Sequence, residues 1–293
     1  RYNSRARRAI RKRWQAIQQN RMTTVDLLED RTLLTAQIID IDGTSAADDF
    51  QVQLNTDGIT LEVWNDSTLV FSDLLSNVAE LNINGDAGAD TLTVDLSNGL
   101  ALPLDGINFD GEADGGQIIL ESSSYGGSIT TVTHSLNSNT AGSISIDGGL
   151  ITYSNSTSIS DELLVTNRVF DFLGAAETIT VSDDGTAGDG LSLIDSTLGA
   201  AVTYVGTADT VTLNTANGSG ADMVNVEGLD SLFASDLTIT GNGDDDVTFQ
   251  TTATDLGAND LTVTARTITV DSDVSSTDGL ITLTASRNIL LDD

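Results

Sequence analysis

Beyond residue 37 apolar and polar residues alternate one for one over most of the chain. FQVQL (50–54), ITLEVW (59–64), TLVFS (68–72), TLTVDL (91–96), ETITVS (177–182), LTVTARTITVD (261–271) and LITLTA (280–285) all keep that period. A period of two sends successive side chains to opposite faces of a strand, so each run predicts a strand with one buried face. The runs are short, and clusters of Gly, Asp and Asn separate them as turns would. Asn55, Thr56, Asp57 and Gly58 form one such cluster and are expected to be a turn, either of a hairpin or of a stacked coil. The expected class is all-β.

The pattern also repeats. LNINGDAGADTLTVD (81–95) aligns without a gap on INFDGEADGGQIILE (107–121), with Leu81 on Ile107, Ile83 on Phe109, Gly85 on Gly111 and Leu92 on Ile118. NGSGADMVNV (217–226) and TGNGDDDVTF (240–249) repeat a corner at an offset of 23 residues. Periods in the twenties imply stacked units, each too small to bury its own apolar face. The predicted fold is therefore a β-solenoid, of the right-handed parallel β-helix kind, over residues 37–293. Tandem β-sandwich domains are the alternative, because residues 38–75 alternate in hairpin style. The strand pattern at Ile289–Leu291 has no polar cap, which predicts further repeats beyond it.

The period changes at the other end. In RAIRKRWQAIQQNRM, Ile10, Trp14 and Ile17 fall on one stripe of a helix ringed by Arg7, Arg8, Arg11 and Lys12. Residues 1–36 are thus expected to hold a short basic amphipathic helix that contacts an anionic membrane or an export component.

Charge sharpens the division. Nine of the twelve basic residues precede residue 36, against Asp26, Glu29 and Asp30; the remainder carries Arg168, Arg266 and Arg287 against 41 acids, a formal charge of −38 within a total of −32. Such a body repels nucleic acid and anionic membranes and attracts cations diffusely. With no cysteine there are no disulfides, thiolate metal sites or cysteine nucleophiles.

Leu28, Glu29, Asp30, Arg31, Thr32, Leu33 and Leu34 resemble the LEPR-XLL segment near the start of large, repeat-rich surface proteins of planctomycete-type bacteria, with Asp30 where that pattern has proline. The body, with GSISIDGGLITYSNSTSI (142–159) and the module from ETITVS to DDDVTF, is similar to the acidic solenoid repeats of giant adhesin-like exoproteins. The resemblance implies a sorting role for Leu28, Glu29, Asp30, Arg31, Leu33 and Leu34. It also implies an extracellular or cell-surface location, with an unidentified surface ligand or the continuing repeats as partner.

The Gly/Asp corners raise calcium. Residues 85–93 match four of the five defining positions of the calcium-binding nonapeptide G-G-x-G-x-D-x-U-x, with Asp86 replacing the second glycine. Asp86, Asp90, Asp222 and Asp245 are the metal candidates, with Glu112 as a further oxygen donor. No copy follows nine residues on, and calcium takes 6 to 8 oxygens, so structural turns are the preferred reading. No cofactor is required; a calcium-binding RTX-like secreted protein is the alternative.

A polysaccharide-active β-helix enzyme is a further alternative. Asn55-Thr56-Asp57 is similar to one element of pectin-cleaving hydrolases, but their Gly-His-Gly has no counterpart; His134, the one histidine, lies in TTVTHSLNS and is expected to decorate a strand or loop. No G-x-S-x-G, phosphate loop or H-E-x-x-H occurs. Trp64 and Tyr204 are expected to pack in the core. The resulting reading is a non-enzymatic structural or adhesive module of a large secreted or surface bacterial protein.

Overall fold

The computed structural model describes residues 36–112, 114–122, 128–206 and 208–291. The leader helix and the Leu28–Leu34 segment lie outside the described residues. Among the described residues there is no α-helix, and Leu75–Asn77 make a single 3-10 turn.

The first coil consists of β1 (Gln37–Thr44) and β2 (Asp49–Leu54), followed by an antiparallel excursion through β3 (Thr60–Asn65) and β4 (Thr68–Leu74). β5 (Val78–Asp86) and β6 (Thr91–Asp95) lie parallel on β1 and β2. β7 (Gly106–Asp110) and β8 (Gly116–Glu121) lie parallel on β5 and β6. The aligned repeat is the register itself: Leu81 pairs with Ile107, Ile83 with Phe109 and Leu92 with Ile118.

The stacking then leaves sequence order. β9 (Ile129–Ser138), β10 (Ala141–Ile146) and β11 (Gly149–Ser154) form an antiparallel meander, and β11 rather than β9 lies on β7. β12 (Ser156–Asp161) rests on β8, and β13 (Val165–Phe172) rests on β9. A second meander, β14 (Thr178–Asp183), β15 (Leu191–Ser196) and β16 (Ala201–Val205), returns β16 to β12 on the other face. The chain steps past two strand positions and fills them on the way back. Two reversals restore the strand direction, so parallel stacking resumes on β9 and β14.

From there the order is sequential. β17 (Thr210–Asn214) and β19 (Asp236–Thr240) extend one face from β13, while β18 (Met223–Val226) and β20 (Asp246–Phe249) extend the other from β14. β21 (Thr254–Asp255) and β23 (Val274–Ser275) pair apart from the main sheet. β22 (Leu261–Val270) and β24 (Ile281–Leu291) each serve both faces, so the two runs join into one 22-stranded sheet. One face reads β1-β5-β7-β11-β10-β9-β13-β17-β19-β22-β24 and the other β2-β6-β8-β12-β16-β15-β14-β18-β20-β22-β24. The runs are equally long because the meander inserted on one face is matched by the meander inserted on the other. This arrangement is solenoid-like: antiparallel pairs are confined to the β2–β4 excursion and the two meanders.

Turn chemistry explains where the chain reverses. Asp147 (φ 48) and Gly148 (φ 93) both take the left-handed region between β10 and β11, as do Asp66 (φ 48) and Ser67 (φ 68) between β3 and β4. Two consecutive positive φ angles are the type I′ hairpin, whose twist matches that of the flanking strands. The Asn55–Gly58 turn joins β2 to β3, with Asp57 accepting the Ile59 and Thr60 amides at 2.9 Å.

The core is a single apolar cluster from Phe50 to Ile268, filled by the inward member of each alternating pair. Burying each such Leu, Ile or Phe contributes about 1.5–3 kcal/mol. Tyr204 is fully buried, as the sequence suggests. Two other expectations are corrected. Trp64 points outward from β3 and is half-buried, and His134 lies wholly inside, in the row that Ile144 and Phe170 occupy on the flanking strands.

Candidate functional site

The four acids singled out as metal candidates sit at corners: Asp222 and Asp245 are neighbours on successive coils, and Asp86 lies near Asp90, but the four do not converge on one point. Asp86 ends β5 with φ 66 and is exposed; one coil on, Glu112 takes the same conformation at φ 51. These are glycine-like positions filled by acids, which accounts for Asp86 standing where the nonapeptide has its second glycine. Asp90, Asp222 and Asp245 turn inward and are buried. Asp90 Oδ1 accepts the Asp48 amide at 2.9 Å, Asp222 Oδ1 the Glu177 amide at 2.9 Å and Asp245 Oδ1 the Asp222 amide at 3.0 Å. Asp245 Oδ2 also accepts from Thr215 Oγ1 and the Asn242 amide, both at 2.7 Å.

Each carboxylate thus binds the backbone of the coil before it. Two ladders result, Asp48–Asp90 near the start of the sheet and Glu177–Asp222–Asp245 beyond the second meander. Asp48 and Glu177 are members that the sequence reading missed, although Gly43 precedes Asp48 by the same five positions as Gly85 precedes Asp90. The glycine is required by contact: a Cβ on Gly85 would overlap the Asp90 carboxylate, and one on Gly241 would press on Asp245. Burial, joined by neighbouring acids, raises the pKa of Asp90, Glu177 and Asp222. Among the described residues no three His, Cys, Asp or Glu side chains converge as a metal site.

A second buried polar group lies between the meanders. Asp161, at the end of β12, accepts Arg168 Nε at 2.9 Å and Arg168 Nη2 at 3.0 Å, and its Oδ2 is 2.8 Å from His134 Nε2. Arg168 Nη2 also donates to Leu163 O at 2.7 Å. All three side chains are 0% exposed. His134 stacks on Phe170, whose ring meets Tyr204, and Arg168 lies 5.5 Å from the Tyr204 centroid. Burial opposes ionisation of Asp161, but Arg168 and His134 outweigh it and hold the pKa well below the usual carboxylate range. With no exposure the triad cannot meet a substrate. It links β12, which pairs with β8 and β16 on one face, to β9 and β13, which pair with each other on the opposite face.

One accessible concavity among the described residues is on the outer face, over β2, β3, β6 and β8, with a volume of about 700 Å³. Register explains its shape. Outward-facing Trp64, Gln51, Thr93 and Ile119 form one column across the strands, and Glu62, Gln53, Asp95 and Glu121 form the next. Along β6 the outward side chains are short, while those of β2 and β8 on either side are long, which leaves a trough above β6. One wall is held from behind by Glu62, which is buried: its Oε1 accepts Asn55 Nδ2 at 2.6 Å and its Oε2 accepts Gln53 Nε2 at 3.2 Å and Trp64 Nε1 at 3.3 Å. The Asn55 bond, against the opposing effect of burial, keeps Glu62 below its ordinary pKa. Gln51 Nε2 in turn donates to Gln53 Oε1 at 3.2 Å. On the opposite wall Glu121 has its pKa raised by burial and then by Asp95 and Glu162. Sequence reasoning missed this site, although Trp64 shares the phase of Glu62, not that of Leu61 and Val63.

No family model matches the chain, and neither a curated protein nor a solved structure matches it.

Proposed function

We propose that the chain is a non-enzymatic structural and adhesive module of a large secreted or surface-anchored bacterial protein, its body a right-handed parallel β-helix. The observation that carries this reading is the continuous in-register stack, in which strands bind the coils before and after them along one axis. Such a stack is stiff and carries load through backbone hydrogen bonds. Side-chain ladders reinforce it outside: Asn82 Nδ2 donates to Asp40 Oδ1 and Asn108 Nδ2 to Asn82 Oδ1, both at 2.8 Å, and Asn214 Nδ2 donates to Asp171 Oδ1 at 2.7 Å.

The charge pattern supports the same role. An acidic body suits an exterior where salt screens self-repulsion, and the basic segment with Leu28–Leu34 suits export or anchoring. In this reading calcium is not needed for folding, because the corner carboxylates of Asp90, Asp222 and Asp245 already accept backbone donors.

The test uses beads coated with the full chain and layered on films of bacterial exopolysaccharide. Retention of the beads under flow, with no release of reducing ends and no change on chelation, is the expected outcome. Steady release of reducing ends that a single Asp or Glu substitution abolishes would replace this reading with the enzymatic one.

A further inference from the structure

The trough above β6 is a site whose chemistry can be read from its walls. Its lining includes Asp49, Asp66 and Glu121 but no Lys, Arg or His, so phosphates, sulfates and uronates meet repulsion with no compensating cation. Gln51, Gln53 and Gln117 each offer an amide donor beside an amide acceptor, the combination that neighbouring hydroxyl groups match. Trp64 adds one aromatic surface, and its indole is held by the Glu62 bond before any ligand arrives. Fixing a wall in advance lowers the ordering cost of binding.

The trough also disfavours a peptide. Extended peptides bind sheets by adding a strand at an open edge, whereas β6 lies inside the sheet with both neighbours paired. The outward positions from Thr91 to Asp95 span about 13 Å, room for about two or three pyranose rings laid along the strand. The volume falls within the range of small-ligand sites.

We infer that this trough binds an uncharged oligosaccharide, one ring lying against Trp64 and its hydroxyls bonded to Gln51, Gln53 and Gln117. It deepens the adhesive reading and rests on it for its biological use, by naming the ligand that the module grips.

Trp14 and Trp64 are the two tryptophans, so Trp14→Phe leaves Trp64 as the only indole in the full chain. That protein is titrated with neutral tetrasaccharides from β-glucan, xylan and mannan, and with tetragalacturonate as the anionic probe. At least one neutral probe should change Trp64 emission saturably and with little dependence on salt, while tetragalacturonate should not. Trp64→Ala, read by calorimetry, should weaken that binding at least tenfold. Gln117→Ala on the opposite wall, away from the Glu62 network, should do likewise with unchanged melting. No response to any neutral probe, preference for tetragalacturonate, or full affinity in Gln117→Ala would overturn the inference. Coated beads that adhere equally well with Gln117→Ala would sink the trough while sparing the adhesive reading. Beads that fail to adhere although the trough binds would do the reverse.

Discussion

A Cβ on Gly85 would sit inside the Asp90 carboxylate, so Gly85→Ala must displace either the corner or the acid that binds the Asp48 amide. The expected cost is about 1–3 kcal/mol, the range for overpacking a filled site, read as a lower denaturant midpoint at unchanged slope. Gly243→Ala, where a Cβ meets nothing within 4 Å, is the control and should be nearly neutral. At this scale the sequence is legible wherever phase is respected. His134 shares the phase of Val132 and Leu136, and Arg168 that of Phe170 and Phe172, so their burial is written in the alternation. Residue type misleads, because a histidine and an arginine read as polar until Asp161, which is distant in sequence from His134, supplies their partner.

The elements that repeat are corners, and their acids set a pH response. Asp222, Glu177 and Asp90 have raised pKa values in the fold, so their ionisation opposes folding: the stability they confer is full below the unfolded-state value near 4 and is lost as pH rises through the folded value. Asp161, Asp48 and Asp246 have depressed values and act oppositely, conferring stability above about pH 4 that is lost as pH falls through their folded values. Melting temperature should therefore rise on mild acidification from pH 7 and fall again in stronger acid. Asp222→Asn keeps an acceptor for the Glu177 amide and removes the charge beside Asp245, so it should melt higher than the parent at pH 7, with the gap closing near pH 4. A gap that does not change with pH would assign the ladder no electrostatic role. The corners are legible in the sequence as Gly and Asp at fixed spacing. The out-of-order meanders are less so, since their strands alternate just as the coil strands do; the Asp147-Gly148 dipeptide marks one of their reversals, as the Asn55–Gly58 cluster marks the earlier β2–β3 reversal.

The body as a whole is one in-register stack in which two meanders are filled in out of order. A 23–26 residue repeat predicts a simple coil, and the partner offsets depart from it wherever a meander intervenes: Leu81 meets Ile107, but Ile107 meets Ile151 and Ile159 meets Val202. The chain has no native cysteine, so paired thiols report this order cleanly. Ser160 and Thr203 are outward-facing partners on β12 and β16, and parallel neighbours stand about 4.8 Å apart, within disulfide reach. Thr180 on β14 would be the nearer candidate if the strands stacked in sequence order, yet it lies three strands from Ser160 and two residues off its register, about 16 Å away. Mild oxidation of the full chain carrying Ser160→Cys with Thr203→Cys should give an intramolecular disulfide in high yield, and Ser160→Cys with Thr180→Cys should remain reduced. Efficient closure of the second pair and not the first would contradict the stack described for this protein.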